Sequence, residues 1–131
     1  MGLITINLGD AFLKYTSPQC QHLCIAIAQI SQRNYLFVTV TTKKKGSETT
    51  CILSPGADVP NFIIHESVVA YRFAFKINTK ELTKLIKAGS LIPQSSCSAT
   101  ILERIQQGGL VSPRLKNKYK AALKAFLEHP K

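Results

Sequence analysis

Acidic residues are scarce in this chain. Seven Asp and Glu are scattered over 131 residues, as Asp10, Glu48, Asp58, Glu66, Glu81, Glu103 and Glu128. Phosphoryl chemistry on two metal ions needs several converging carboxylates, so this scarcity argues against a two-metal carboxylate nuclease. No apolar run reaches the ~18 residues that a membrane span requires. The opening Met1-Gly2-Leu3-Ile4-Thr5-Ile6-Asn7 lacks the positive start and small-residue cleavage site of a secretory signal, and reads as a first strand. Ile6 stands where Ser or Thr would favour myristoylation of Gly2. These absences predict a cytoplasmic protein with no membrane partner. A phosphate-cradling glycine loop, a dinucleotide fingerprint, a serine elbow and a two-histidine helix motif are also missing, and no cofactor is expected.

The usual zinc spacing Cys-x-x-Cys does not occur. Of Cys20, Cys24, Cys51 and Cys97, the first two alternate with His22, so on a strand all three share one face. That pattern can begin a metal site but leaves the fourth ligand unsupplied. Free thiols acting as small buried hydrophobes are the simpler reading in a reducing compartment, and no metal is assigned.

Cations, by contrast, are abundant. Seventeen Lys and Arg against seven acids leave a formal charge of +10. Such an excess attracts polyanions, and nucleic acid is the commonest of them, with acidic protein segments and anionic lipid head groups as competitors. Hydrophobic content of 45% and charged content of 18% are those of a globular chain.

Along the chain, a β-rich body of about 77 residues precedes a helical, cationic half. Strands are expected at Leu3 to Asn7, Ala11 to Tyr15, Leu23 to Ile30, Tyr35 to Thr42, Thr50 to Leu53 and Ser67 to Ile77, with a short apolar segment at Phe62 to Ile64. Leu23 to Ile30 is almost wholly apolar, as a strand buried on both faces is. In Ser67 to Ile77 the residues Val69, Tyr71, Phe73 and Phe75 alternate with Val68, Ala70, Arg72, Ala74 and Lys76. Asn78 or Thr79 can cap a helix over Lys80 to Ala88 that ends at Gly89. Leu91 to Ser95 reads as a connector. Thr100 to Glu103 fits a capping box for a short helix ending at Gly108-Gly109, a candidate hinge. Ser112-Pro113 opens a last helix to about Glu128, with Leu115, Tyr119, Leu123 and Phe126 on one stripe and lysines on the other faces. Packing of that stripe in cis is the default. The layout is α+β, a small barrel or rolled sheet of about six strands followed by helices.

With carboxylates scarce, any cleavage chemistry falls to His, Tyr, Ser, Thr, Lys and Arg. Those groups suit breaking RNA through its own 2′-hydroxyl, which needs a general base, a general acid and a cation for the developing phosphorane charge. Histidine titrates near working pH. His22 ends the Pro18 loop, His65 sits at a strand entry, and His129 lies in the tail. His22 and His65 are the candidate acid and base, with Arg72 as the transition-state cation; Lys14 is a second candidate for the cation. Thr41, Thr42, Ser67 and Tyr71 are candidate substrate contacts. Lys43, Lys44 and Lys45 form a loop tip that would meet phosphates beside a nucleic-acid groove.

Gly9-Asp10 opening a strand, a Pro-containing loop, a hydrophobic strand, a strand ending in Thr, then Ser67-Val68-Val69 and an Asn78/Thr79-x-x-Leu82 helix start resemble the MazF/PemK-like toxin group. Cys51 to Gly56 with His65 to Tyr71 is similar to a toxin-like branch in which a Pro-Gly turn precedes a His-x-Ser-x-Val-x-Tyr strand. The resemblance covers about residues 8 to 88. It implies an SH3-like barrel, taken over residues 1–88 with the first helix; the helices of residues 89–131 exceed what that compact family needs and are expected as a basic extension packed on the barrel, one domain overall. It implies a metal-independent endoribonuclease acting on single-stranded RNA, a homodimer, and an acidic antitoxin-like protein partner. The ribonucleases of that group carry an Arg near a Pro in the active-site loop, whereas Gln19 to Leu23 offers His22 and no Arg. That departure keeps a non-catalytic module, binding nucleic acid or protein, as the alternative.

Overall fold

The computed structural model describes residues 4–17 and 20–129. In chain order the elements are β1 (Ala11–Ser17), β2 (Cys20–Ser31), β3 (Asn34–Thr42), β4 (Ile52–Leu53), β5 (Ser67–Asn78), α1 (Thr79–Lys87), β6 (Leu91–Gln94), α2 (Ala99–Val111) and α3 (Asn117–Glu128). The strands form one sheet in the order β4-β5-β3-β2-β1-β6, with every pairing antiparallel. The protein is α+β, a curled half-barrel with three helices. Register shifts interrupt the ladders of β1 with β2, β2 with β3 and β3 with β5. Such bulges bend strands and increase twist, which is what rolls a flat sheet.

Both faces of the sheet are apolar at its centre, which is why Leu23 to Ala28 are all buried. On one face α2, α3 and the segment between them lay Ile101, Ile105, Leu115, Leu123 and Phe126 against Leu13, Ile25, Ile27, Val38 and Tyr71. The stripe on α3 therefore packs in cis. On the other face α1 presents Leu82 to Phe12, Ala26, Phe37 and Leu91. Where β2 bulges at Ile27, its carbonyl accepts a 2.9 Å hydrogen bond from the buried Gln106 side chain of α2, so the interrupted ladder leaves no orphan there.

Several expectations shift. Residues 4–7 form no strand; Ile6 is a buried plug beside Leu82. The connector after α1 is the sixth strand. Gly89 takes φ +79°, Ser90 N–H bonds the Leu85 carbonyl, and the chain returns as β6 beside β1. Pro93 is tolerated because β6 is an edge. Residues after 88 thus add a strand to the sheet as well as helices. Ser98, rather than Thr100, caps α2, its hydroxyl accepting from Ile101 N–H.

Gly108-Gly109 is helix interior rather than a hinge. A Cβ on Gly108 would overlap the Tyr71 hydroxyl, and one on Gly109 would come 2.7 Å from Leu123 Cδ2. The missing side chains let α2 approach β5 and α3 closely, and Tyr71 seals the contact by donating to the Ile105 carbonyl at 2.7 Å.

Candidate nucleic-acid interface

Helix α1 covers only part of its face of the sheet. Along the remainder, strand alternation and register align Lys14 opposite His22, Cys24 opposite Thr39, Thr39 opposite Ala70, and Thr41 opposite Val68. The neighbouring part of β5 breaks alternation. Ala70 pairs with Thr39 and Phe75 with Phe37, so residues 71–74 stand opposite Val38 alone. Tyr71 and Ala74 turn to the helix-covered core, while the consecutive Arg72 and Phe73 both project outward. Phe73 is 53% exposed, and the Arg72 guanidinium lies 4.5 Å from its ring centroid.

Phe73 is the shared wall of two cavities. The first, of about 240 Å³, is lined by Thr41, Lys44, Lys45, Ser47, Glu48, Arg72 and Arg114 among others. Two devices build it. Gly46 at φ +85° closes a turn in which Ser47 Oγ accepts from Lys44 N–H at 2.9 Å, presenting Lys44 and Lys45. Glu48 then ties this loop to the junction of α2 and α3. One carboxylate oxygen accepts from the hydroxyls of Ser112 and Thr50, and Ser112 Oγ also accepts from Arg114 N–H at 3.1 Å. The second Glu48 oxygen is buried without a hydrogen-bond partner among the described residues. The carboxylate is thus held by hydroxyls, and the exposed side chains of Lys44, Lys45, Arg72 and Arg114 surround a space fit for an anion with several oxygens.

The second cavity, of about 260 Å³, is lined by Lys14, His22, Cys24, Thr39, Phe73 and Phe75. Phe75 stacks on Phe37 with centroids 5.5 Å apart, and the Lys14 ammonium lies 4.6 Å from the Phe75 centroid. Burial pushes the Cys24 thiol up to about 11, with the nearby Lys14 charge opposing only part of that rise. The same burial raises the Cys51 and Cys97 thiols. None of the three is a thiolate at neutral pH, so none is an activated nucleophile. His22 and Cys24 do share a face, and the side chain of Cys20 lies outside the described residues. Among the described residues, no group of three or more His, Cys, Asp or Glu is disposed to hold a metal.

His65 belongs elsewhere. It lines a third cavity, of about 370 Å³, with Leu23, Val40, Thr42, Ile64 and Ser67. Leu23 and Val40 belong to the core on the α2/α3 face, while Thr41 also lines the first cavity, so this cavity lies at the end of β3. His22 and His65 therefore do not line a common cavity. Four other sequence candidates also separate from the groove, the first being Thr42, which lines the His65 cavity. Ser67 is buried and donates to the His65 carbonyl at 2.9 Å. Lys43 pairs with Glu66 at 3.1 Å. Tyr71 is a core residue with no exposed surface, its hydroxyl committed to Ile105. A substrate cannot reach it, which corrects its assignment as a substrate contact. Thr41, Lys44, Lys45 and Arg72 do come together. Sequence reasoning missed Phe73 and Phe75 as surface aromatics, and Arg114, whose approach depends on a Glu48–Ser112 bond across 64 positions.

No family model, curated protein or solved structure matches the chain, and the resemblance to the MazF/PemK-like group rests on its segment order and short sequence words.

Proposed function

We propose that the protein binds single-stranded RNA along the open part of the sheet, as a non-catalytic relative of the SH3-like barrels of the MazF/PemK-like group. One observation carries this reading. The β5 bulge brings Arg72 and an exposed Phe73 side by side next to Lys44, Lys45 and Arg114. Backbone-tracking cations beside an aromatic platform are the common physics of single-strand binding, because every base has a π face and every nucleotide a phosphate. The net charge of +10 supplies long-range attraction to the same ligand.

Binding is favoured over cleavage by the distribution of the imidazoles. A general acid and a general base must both reach the one phosphate they serve. His22 and His65 line different cavities, and Ser67 is used internally. The test is fluorescence anisotropy of a labelled RNA 12-mer at several salt concentrations, with EDTA present and the RNA run on a gel afterwards. Four phosphate contacts correspond to a log–log salt slope of about −3, at ~0.7 per contact on single strands. Salt-dependent binding with intact RNA supports the reading. Cyclic-phosphate products, or no binding at low salt, would defeat it.

A further inference from the structure

We propose that the cavity between Phe73 and Phe75 receives one unstacked nucleobase, so that the protein discriminates unpaired strands from duplexes; this rests on the reading of the open sheet face as a nucleic-acid groove. The two cavities share Phe73. A strand whose phosphate sits among Arg72, Lys44 and Lys45 therefore carries its adjacent base to the Phe73 edge of the second cavity.

The second cavity has the makings of a base site. Its aromatic wall is set before any ligand arrives, because Phe75 lies nearly parallel to Phe37, at 11°. A preformed wall spares the ordering cost of binding. Cations rest on both rings, Lys14 on Phe75 and Arg72 on Phe73. A base stacking on either ring displaces the cation toward the phosphate next to it, exchanging a cation–π contact for stacking plus a charge-assisted hydrogen bond. The floor is Cys24, buried and neutral, so it brings no negative charge near the phosphates. Thr39 donates to the Phe73 carbonyl at 3.4 Å, linking the floor to the bulge. Lys14 and His22 supply polar groups at the rim for a base edge. Bases already paired in a duplex cannot enter.

The test compares three probes by anisotropy at one fixed salt concentration: labelled decauridylate, an abasic ribose-phosphate oligomer of the same length, and the decauridylate annealed to decaadenylate. Stacking of one base predicts decauridylate binding about tenfold more tightly than the abasic oligomer, and more tightly than the duplex. Phe73→Ala should lower decauridylate affinity about tenfold while leaving abasic affinity within about twofold; Lys14→Gln should preserve the preference for bases. Equal affinity for all three probes, or Phe73→Ala weakening the decauridylate and abasic probes alike, would overturn the base site and leave backbone binding standing. No binding of any probe would overturn both.

Discussion

The two faces of the sheet come from the same strands and have opposite fates. The face under α2 and α3 is sealed: Ile25, Ile27, Val38, Tyr71, Ile105 and Leu123 have no exposed surface. The face under α1 is sealed only where Leu82 reaches, and beyond it lie Lys14, His22, Arg72 and Phe73. The helices rather than the strands decide which apolar surface is core and which is a platform. Half-covering a face leaves a wall rigid enough to recognise something, since its other side is bonded to a packed core.

Substitutions on the two faces should separate stability from binding. The largest effect is expected from Leu123→Ala, which empties a site with no exposed surface and should cost about 2–5 kcal/mol in urea unfolding, with RNA affinity unchanged wherever the variant is folded. Gly108→Ala forces a methyl group against the Tyr71 hydroxyl and should cost about 1–3 kcal/mol. On the open face the order reverses. Arg72→Ala with Arg114→Ala should weaken RNA binding and flatten the salt slope by about 1.4, at ~0.7 per lost contact, with stability within about 0.5 kcal/mol of the parent.

Alkali should act through the shielded thiols and Tyr71. Burial raises the Cys24 pKa from its ordinary 9.0 to about 11, and Cys51, Cys97 and Tyr71 are shifted in the same direction. The fold therefore favours their protonated forms. That contribution is complete below the unfolded thiol pKa and is lost as pH rises through the folded values. The melting temperature should fall between pH 9 and 11, the interval between the two Cys24 values; a flat profile would contradict the burial of these groups. The smallest effect belongs to Lys43→Ala. Its ion pair with Glu66 is solvent-exposed, so the loss should be at most about 1 kcal/mol, with little change in RNA affinity.

The sequence was readable wherever the signal is local. Asn78 caps α1 by accepting from Glu81 N–H, and Gly89 ends it in a left-handed turn. The unbroken apolar run of β2 announced a strand buried on both faces. What escaped was set by partners distant in the chain. The alternation Val69, Tyr71, Phe73, Phe75 looks continuous, yet the bulge opposite Val38 sends Tyr71 into the core and Phe73 to the surface. A single register shift thereby separated two aromatics that the alternation placed on one side, and put Phe73 at the centre of the candidate site. β6 was hidden because Pro93 argues against a strand unless the edge position is known. Lys44, Lys45 and Arg72 were legible as chemistry; their convergence with Arg114 was not, because it depends on Glu48 gripping Ser112. The spacing of His22 and His65 could not say which cavity each would line.

The most direct test is an amide chemical-shift titration with decauridylate. The account predicts that shifts concentrate on the loop of residues 43–48, on Thr39 and Thr41, and on residues 70–75 of β5, with the outer surfaces of α2 and α3 silent. Shifts confined to α2 and α3, or around His65 and Ile64, would contradict it.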